Sequence, residues 1–250
     1  MTNNKTYFVA NWKMHGSLNS VNSIQNVIKL SKKAKYKNVR IVYCPPYTLI
    51  RQFVEKTKKT KIDIGAQNCH FENKFGSFTG SVNANMIKNI GSKFVIIGHS
   101  ENRANGDTNK SINLKIKSAI KANLKVIFCF GETLKEKRNK KTNKVIAYQI
   151  KKGLHKIRNI KNVFFAYEPV WSIGTGIIPK VNELDTQVKN IKKIIKKYYK
   201  LKNTKILYGG SVNSQNIVTL KKIGSIKGFL IGGASLNSKN FIDIIKKTIN

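Results

Sequence analysis

The stretch Phe164 to Pro179, FFAYEPVWSIGTGIIP, holds one charged residue, Glu168, in an otherwise uncharged run. Its first four residues have the length and composition of a buried strand. Glu168 falls where that strand stops, and Pro169 fixes the backbone behind it and cannot extend a ladder. An apolar pair, Val170 and Trp171, follows, and then Ser-Ile-Gly-Thr-Gly. A carboxylate, an anchor and a glycine-rich flap are the parts of a general base that a loop can cover. On this stretch alone, a surface acid before an ordinary loop is the alternative reading.

Other reactive side chains recur in the same setting, just past an apolar run. Asn11-Trp12-Lys13, Gly98-His99-Ser100-Glu101 and Cys129-Phe130-Gly131-Glu132 each follow one. Lys13 taken singly is a surface charge, but lysines are scarce inside such runs. His99 is either a hydrogen-bonded structural residue or a neutral imidazole that donates to a substrate oxygen. Glu101 fits an anchor for Lys13 or a cap for backbone amides. Asn11 fits a turn residue, and Cys129 a small packed side chain. Two glycine clusters, Gly209-Gly210-Ser211 and Gly232-Gly233, leave backbone N–H groups bare, so that phosphate oxygens can approach closely. With Gly174 in the flap, they form a phosphate-binding hypothesis. His15, His70 and His155 make no metal-ligand pattern, and neither a nucleotide-phosphate loop nor a dinucleotide fingerprint is present. A base, a neutral donor, a cation and a phosphate grip, with no metal and no cofactor, suffice to move a proton between carbons beside a carbonyl. The cation and imidazole would stabilise the enediolate oxygens.

These groups need a frame that brings distant segments together. Short apolar runs are expected as strands at Tyr7–Asn11, Val39–Cys44, Ile62–Ala66, Phe94–Gly98, Lys125–Phe130, Val163–Tyr167, Lys205–Tyr208 and Gly228–Ile231. Amphipathic runs are expected as helices at Asn19–Lys32, Tyr47–Lys58, Val82–Ile90, Asn109–Ala122, Lys144–Ile157, Leu184–Tyr199, Gln215–Lys222 and Lys239–Ile249. Continuous apolar strands alternating with helices predict a parallel sheet buried on both faces. Eight repeats favour an α/β fold closed as a (β/α)8 barrel, and no composition break divides residues 1–250 into more than one domain. Such a barrel places reactive groups at the C-terminal ends of its strands, where every residue above would lie.

The chain carries 48 Lys+Arg against 11 Asp+Glu, a net charge of +37. Its lysines spread through most helical runs, with an excess of Asn and Ile, as compositional drift would give; selected polyanion binding is the other reading. Specific nucleic-acid recognition is not expected. The charge itself predicts self-repulsion that salt relieves. No run reaches the roughly 20 apolar residues of a membrane span, and the N-terminus has no signal-like pattern, so a cytoplasmic protein is expected. Three separated cysteines suggest neither a disulfide framework nor zinc.

The motifs NWK (11–13), FTG (78–80), GHSE (98–101), CFGET (129–133), AYEPVWSIGTG (166–176), YGGSV (208–212) and IGGASL (231–236) together resemble the triosephosphate isomerase family, in order and over nearly the whole chain. The resemblance implies interconversion of glyceraldehyde 3-phosphate and dihydroxyacetone phosphate in glycolysis and gluconeogenesis. It implies Glu168 as the proton-shuttling base, His99 as the electrophile, and Lys13 and Asn11 as ligands of the substrate oxygens. It further implies Gly174, Ser211, Gly232 and Gly233 as phosphate contacts, with Trp171 and Glu132 seating the flap. A homodimer is implied too, with the loop Gln67–Ser81 reaching the partner's site through Thr79. Ser81 stands where the family usually has glutamate, and Asn102 where GHSERR has its first arginine, which loosens the expected interface. Ile177-Ile178-Pro179 replaces the usual hinge, and a proline there is expected to stiffen flap motion. Two other readings remain: a barrel enzyme acting on a ribulose-type phosphate, which needs a different base placement or a metal set, and a basic binding protein on a barrel scaffold. Lys13, His99 and Glu168 together favour the isomerase.

Overall fold

The computed structural model describes residues 5–201 and 203–249. Eight parallel strands close into a barrel in sequence order: β1 (Thr6–Asn11), β2 (Val39–Cys44), β3 (Ile62–Ala66), β4 (Phe94–Ile97), β5 (Lys125–Phe130), β6 (Val163–Tyr167), β7 (Ile206–Tyr208) and β8 (Gly228–Ile231). Closure is made where β1 lies along β8, with Tyr7 opposite Gly228 and Ala10 opposite Ile231. A Cβ on Gly228 would stand 2.1 Å from the carbonyl oxygen of Tyr7, so the seam needs glycine.

Alternation along each strand divides the apolar residues into two cores. Phe8, Ala10, Ile41, Tyr43, Phe128 and Phe165 belong to the large cluster that the helices cover. Val9, Val42, Cys44, Ile96, Ile127, Cys129, Phe164, Ala166, Leu207 and Leu230 form a second cluster in the barrel interior. The two faces explain why the strands read as unbroken apolar runs. Tyr7, Phe94 and Phe164 meet edge to face at the N-terminal end of the barrel, at 4.8 and 5.5 Å, and plug it. Continuing the interior period of two beyond the strand ends gives Asn11 and Lys13 after Val9, Glu168 after Ala166, Gly209 after Leu207 and Gly232 after Leu230. The same alternation that packs the core thus aims Asn11 and Glu168 at the barrel axis, whereas His99 follows Ile97 of the outer cluster and is placed by the turn after β4.

The outer layer comprises α1 (Gln25–Ser31), α2 (Ile50–Thr57), α3 (Ala84–Asn89), α4 (Ser100–Ala104), α5 (Asn109–Lys121), α6 (Leu134–Arg138), α7 (Thr142–Gly153), α8 (Val181–Tyr199), α9 (Ile217–Leu220) and α10 (Ser238–Ile249). Several differ from the sequence expectation. The run expected as one helix from Asn19 begins as a 3-10 segment, Leu18–Ile24, rich in Asn and Ser, whose side chains compete for backbone hydrogen bonds. The helix expected over Gln215–Lys222 is confined to α9, and the strand expected from Lys205 starts at Ile206. Helices α4 and α6 were outside the periodic pattern because five residues are too few to show one. The Thr133/Glu136 capping box, in which each side chain meets the other's backbone N–H, is the local signal for α6.

Ion pairs such as Lys115–Asp107 and Lys189–Asp185 each use an acid, and eleven acids leave most of the 48 cations without one. Repulsion among them is screened over a Debye length of about 10 Å at 0.1 M salt. The melting temperature is therefore expected to rise as sodium chloride is added from low ionic strength, followed by circular dichroism; a fall would show that net repulsion does not limit stability.

Candidate active site

Lys13 lies two residues past the end of β1 in a left-handed conformation, φ +53°. For a residue with a Cβ this costs about 1–2 kcal/mol. Two hydrogen bonds hold its backbone there, and a third fixes Gln67 to the neighbouring strand. The Lys13 N–H donates to Asn11 Oδ1 at 3.2 Å, and Gln67 Nε2, just after β3, donates at 2.8 Å to the carbonyls of both Lys13 and Cys44. The ammonium then meets Glu101 Oε1 at 2.6 Å. Glu101 thus takes the anchoring role, while Asn11 serves both as a turn acceptor and as a cavity wall.

His99 precedes α4 and is buried. The backbone N–H of Glu101 donates to its Nδ1 at 3.3 Å, which puts the imidazole proton on Nε2. That nitrogen faces Glu168 Oε1 at 3.6 Å. The ring is thus oriented as a donor through the main chain of the turn that follows β4.

Glu168 is 1% exposed. Its Oε2 accepts one long hydrogen bond, 3.3 Å, from the Ser100 N–H, and its Oε1 accepts none among the described residues. Room for it comes from a neighbouring strand: a Cβ on Gly209 would lie 2.7 Å from Glu168 Cγ. Cys129 packs nearby in the interior; burial first, then the Glu168 charge, keep its thiol well above the ordinary range.

Above these groups lies a cavity of about 220 Å³. Its lining includes Asn11, Lys13 and His99, Gly174 from the flap, and Ser211, Gly232 and Gly233. Glu168 is not among its lining residues and stands behind it against Ser100. Thr79 is exposed on the loop after β3 and does not line the cavity of its own chain. Among the described residues no three His, Cys, Asp or Glu side chains group as metal ligands.

The flap is tied down at its base. Trp171 Nε1 donates to Glu132 Oε1 at 3.0 Å, and the Tyr167 hydroxyl donates to both oxygens of that carboxylate. Lys137 places its ammonium 3.9 Å from the centre of the Trp171 ring. Burial pushes the Glu132 carboxyl up from its ordinary range, against the downward pull of the Trp171 and Tyr167 hydrogen bonds. Ser172 is the second tie. Its hydroxyl donates to the Ile177 carbonyl at 2.6 Å and lies 3.0 Å from the Tyr208 hydroxyl, and its carbonyl accepts from the Ser211 N–H at 3.1 Å. Pro179 is buried at the far hinge. Gln67, Ser100, Ser172 and Tyr208 are thus part of the site although sequence reasoning singled out none of them. The motifs GHSE, AYEPVWSIGTG and YGGSV contain Ser100, Ser172 and Tyr208, whereas Gln67 acts only through three-dimensional proximity.

The triosephosphate isomerase family model matches residues 6–248. The chain belongs to the triosephosphate isomerase family. It is 41% identical to triosephosphate isomerase of Dictyoglomus thermophilum, with 95% of this chain and 97% of that one aligned. It is 39% identical to the Saccharomyces cerevisiae enzyme, over 96% and 98% of the two chains. Its fold superposes on the crystal structure of triosephosphate isomerase from Bartonella henselae with a TM-score of 0.89 at 29% identity, covering 98% of this chain and 100% of that one.

The raised Glu132 carboxyl makes a pH prediction in this member of the family. A carboxyl whose folded pKa is raised binds more protons folded than unfolded, so its contribution to stability is fully present below the ordinary carboxylate value. It is lost as pH rises through the folded value. Glu132→Gln removes that loss. Its stability relative to the parent, from urea titrations, should therefore rise as pH increases from about 4.5 and level off once the folded carboxyl is ionised; a difference that stays constant with pH would exclude the burial effect.

Proposed function

We propose that the cavity interconverts D-glyceraldehyde 3-phosphate and dihydroxyacetone phosphate by proton transfer through an enediolate. The observation that carries this reading is the facing of Glu168 Oε1 and His99 Nε2 at 3.6 Å behind a cavity lined by Lys13 and by bare glycine backbone. Glu168 removes a proton from the carbon beside the carbonyl and returns it to the neighbouring carbon. As it does so, negative charge appears on the two substrate oxygens. The Nε2 proton of His99 and the Lys13 ammonium stabilise that charge, with the Asn11 amide beside them. Because Lys13 is already fixed by Gln67 and Glu101, little reorganisation is left for the chemical step.

The phosphate is assigned to the Ser211, Gly232 and Gly233 backbone, completed by Gly174 from the flap. The Ser211 N–H donates to Ser172 in the present state, so phosphate binding exchanges that flap contact for a phosphate oxygen. Binding and flap movement are thereby coupled at one donor. Trp171 and Glu132 hold the base of the flap while its tip moves. Closure keeps water from the enediolate, which otherwise eliminates its phosphate. The partner reading is a homodimer in the cytoplasm. Phe71, Phe75 and Phe78, exposed by 44%, 75% and 43% on the loop after β3, support it, as does Met14 at 95%. Thr79 on that loop is the residue proposed to reach the second copy's Asn11 and Lys13. Among the described residues no helix is long and apolar enough to cross a membrane.

A coupled assay with glyceraldehyde 3-phosphate tests the assignment. Glu168→Gln is expected to lower kcat at least about a hundredfold. Glu168→Asp, which draws the carboxylate back by one methylene, should also lose on the order of a hundredfold. In deuterium oxide the parent enzyme should place deuterium on the carbon next to the carbonyl. Full activity of Glu168→Gln, or product free of solvent deuterium with Glu168→Asp unimpaired, would reject Glu168 as the base.

A further inference from the structure

On the outside of the barrel, three concavities of about 690, 390 and 480 Å³ open along α5, α7 and the C-terminal end of α8. They are continuous. Tyr148, Lys152 and His155 line both the first and the second, and Lys151, His155 and Tyr198 line both the second and the third. None of their lining residues lines the cavity beneath the flap. Lys110, Lys144, Lys151, Lys152, Lys156 and Arg158 supply the charge, and none of the six is in an ion pair among the described residues. The groove's one acid, Asp107, is spent on Lys115, which it meets at 2.6 and 2.8 Å. The sequence between Lys137 and Tyr167, which forms α7 and its flanks, contains no Asp or Glu.

Charge alone does not distinguish this face, since residues 1–54 also lack acids. Shape and rings do. Tyr148 and Tyr198, 55% and 42% exposed, stand within the groove, and lysine ammonium groups lie near both rings: Lys152 at 5.8 Å from the Tyr148 centroid, Lys151 at 4.7 Å and Lys197 at 5.9 Å from that of Tyr198. A cationic channel that tracks a backbone, interleaved with exposed rings on which bases stack, suits an unpaired strand. A bilayer surface would be met by a flat or convex face with protruding apolar side chains. A duplex would leave the rings without bases to stack on.

We infer that this groove is a sequence-independent binding site for single-stranded RNA, separate from the isomerase cavity. The probe is an end-labelled oligouridylate of about 15 nucleotides, followed by fluorescence anisotropy at about 0.1 M salt. Lys151→Gln/Lys152→Gln/Arg158→Gln removes three charges from the groove. Lys29→Gln/Lys32→Gln/Lys33→Gln removes three exposed charges from α1 and its end, none of which lines these concavities. The groove variant should weaken binding at least about tenfold and reduce the slope of log affinity against log salt by about 2, the loss of three single-strand phosphate contacts. The α1 variant should change affinity less than about twofold. Tyr148→Ala/Tyr198→Ala should weaken binding at least about fivefold with the salt slope kept. Isomerase activity should be unaltered in all three, which also shows that they fold. Equal losses from the two charge variants would overturn the proposal, as would parent-like affinity in the tyrosine variant. So would a groove variant that loses binding to phosphatidylglycerol vesicles while binding oligouridylate as the parent does.

Discussion

Everything chemical in this chain depends on where a barrel strand of alternating register runs out. Phe164 and Ala166 lie in the interior cluster, and the next residue of that register is Glu168, a carboxylate in the position of a core side chain. A buried carboxylate is normally held by several donors. This one has a single long hydrogen bond from the Ser100 N–H and an oxygen with none among the described residues. A group so weakly held in its resting seat is free to leave it. The neighbouring strand contributes Gly209, which keeps that seat open.

The surrounding residues are by contrast firmly fixed. Lys13 is held in a left-handed turn by Asn11 and Gln67, and His99 by the amide of Glu101. Glu132 grips Trp171. The site thus sets firmly held groups beside a weakly held carboxylate, Glu168, which the proposed mechanism requires to move together with the flap. The flap meets the barrel through contacts that include the Ser211–Ser172 hydrogen bond, the one that phosphate would replace in the proposed function. Pro179, buried at the far hinge, restricts the backbone there to one φ value, so the flap has less freedom at that end than at Gly174 and Gly176.

Much of this was legible in the sequence for a physical reason. Parallel strands buried on both faces leave unbroken apolar runs, so β2, β3, β5, β6 and β8 match their expected bounds residue for residue. Polar residues that end such runs stand out, which is how Asn11, Lys13, His99 and Glu168 are found. Elements without a long period were not legible. The Asn- and Ser-rich turn before α1 and the five-residue α4 and α6 are set by local capping and by the loops they close. Gln67 shows the deeper limit: its two carbonyl partners lie 54 and 23 residues earlier in the chain, and only barrel closure brings them within reach. The +37 charge likewise gave no location; the concave face between α5 and α8, with its two tyrosines, is a property of the folded surface.

The most direct test is a crystal structure with a three-carbon phosphorylated mimic of the enediolate bound. The account predicts that the Glu168 carboxylate leaves the Ser100 N–H and lies against the ligand's reacting carbons, with the Ser211 N–H turned from Ser172 to a phosphate oxygen. A ligand seated in the cavity beneath a closed flap, with Glu168 still on Ser100, would contradict it.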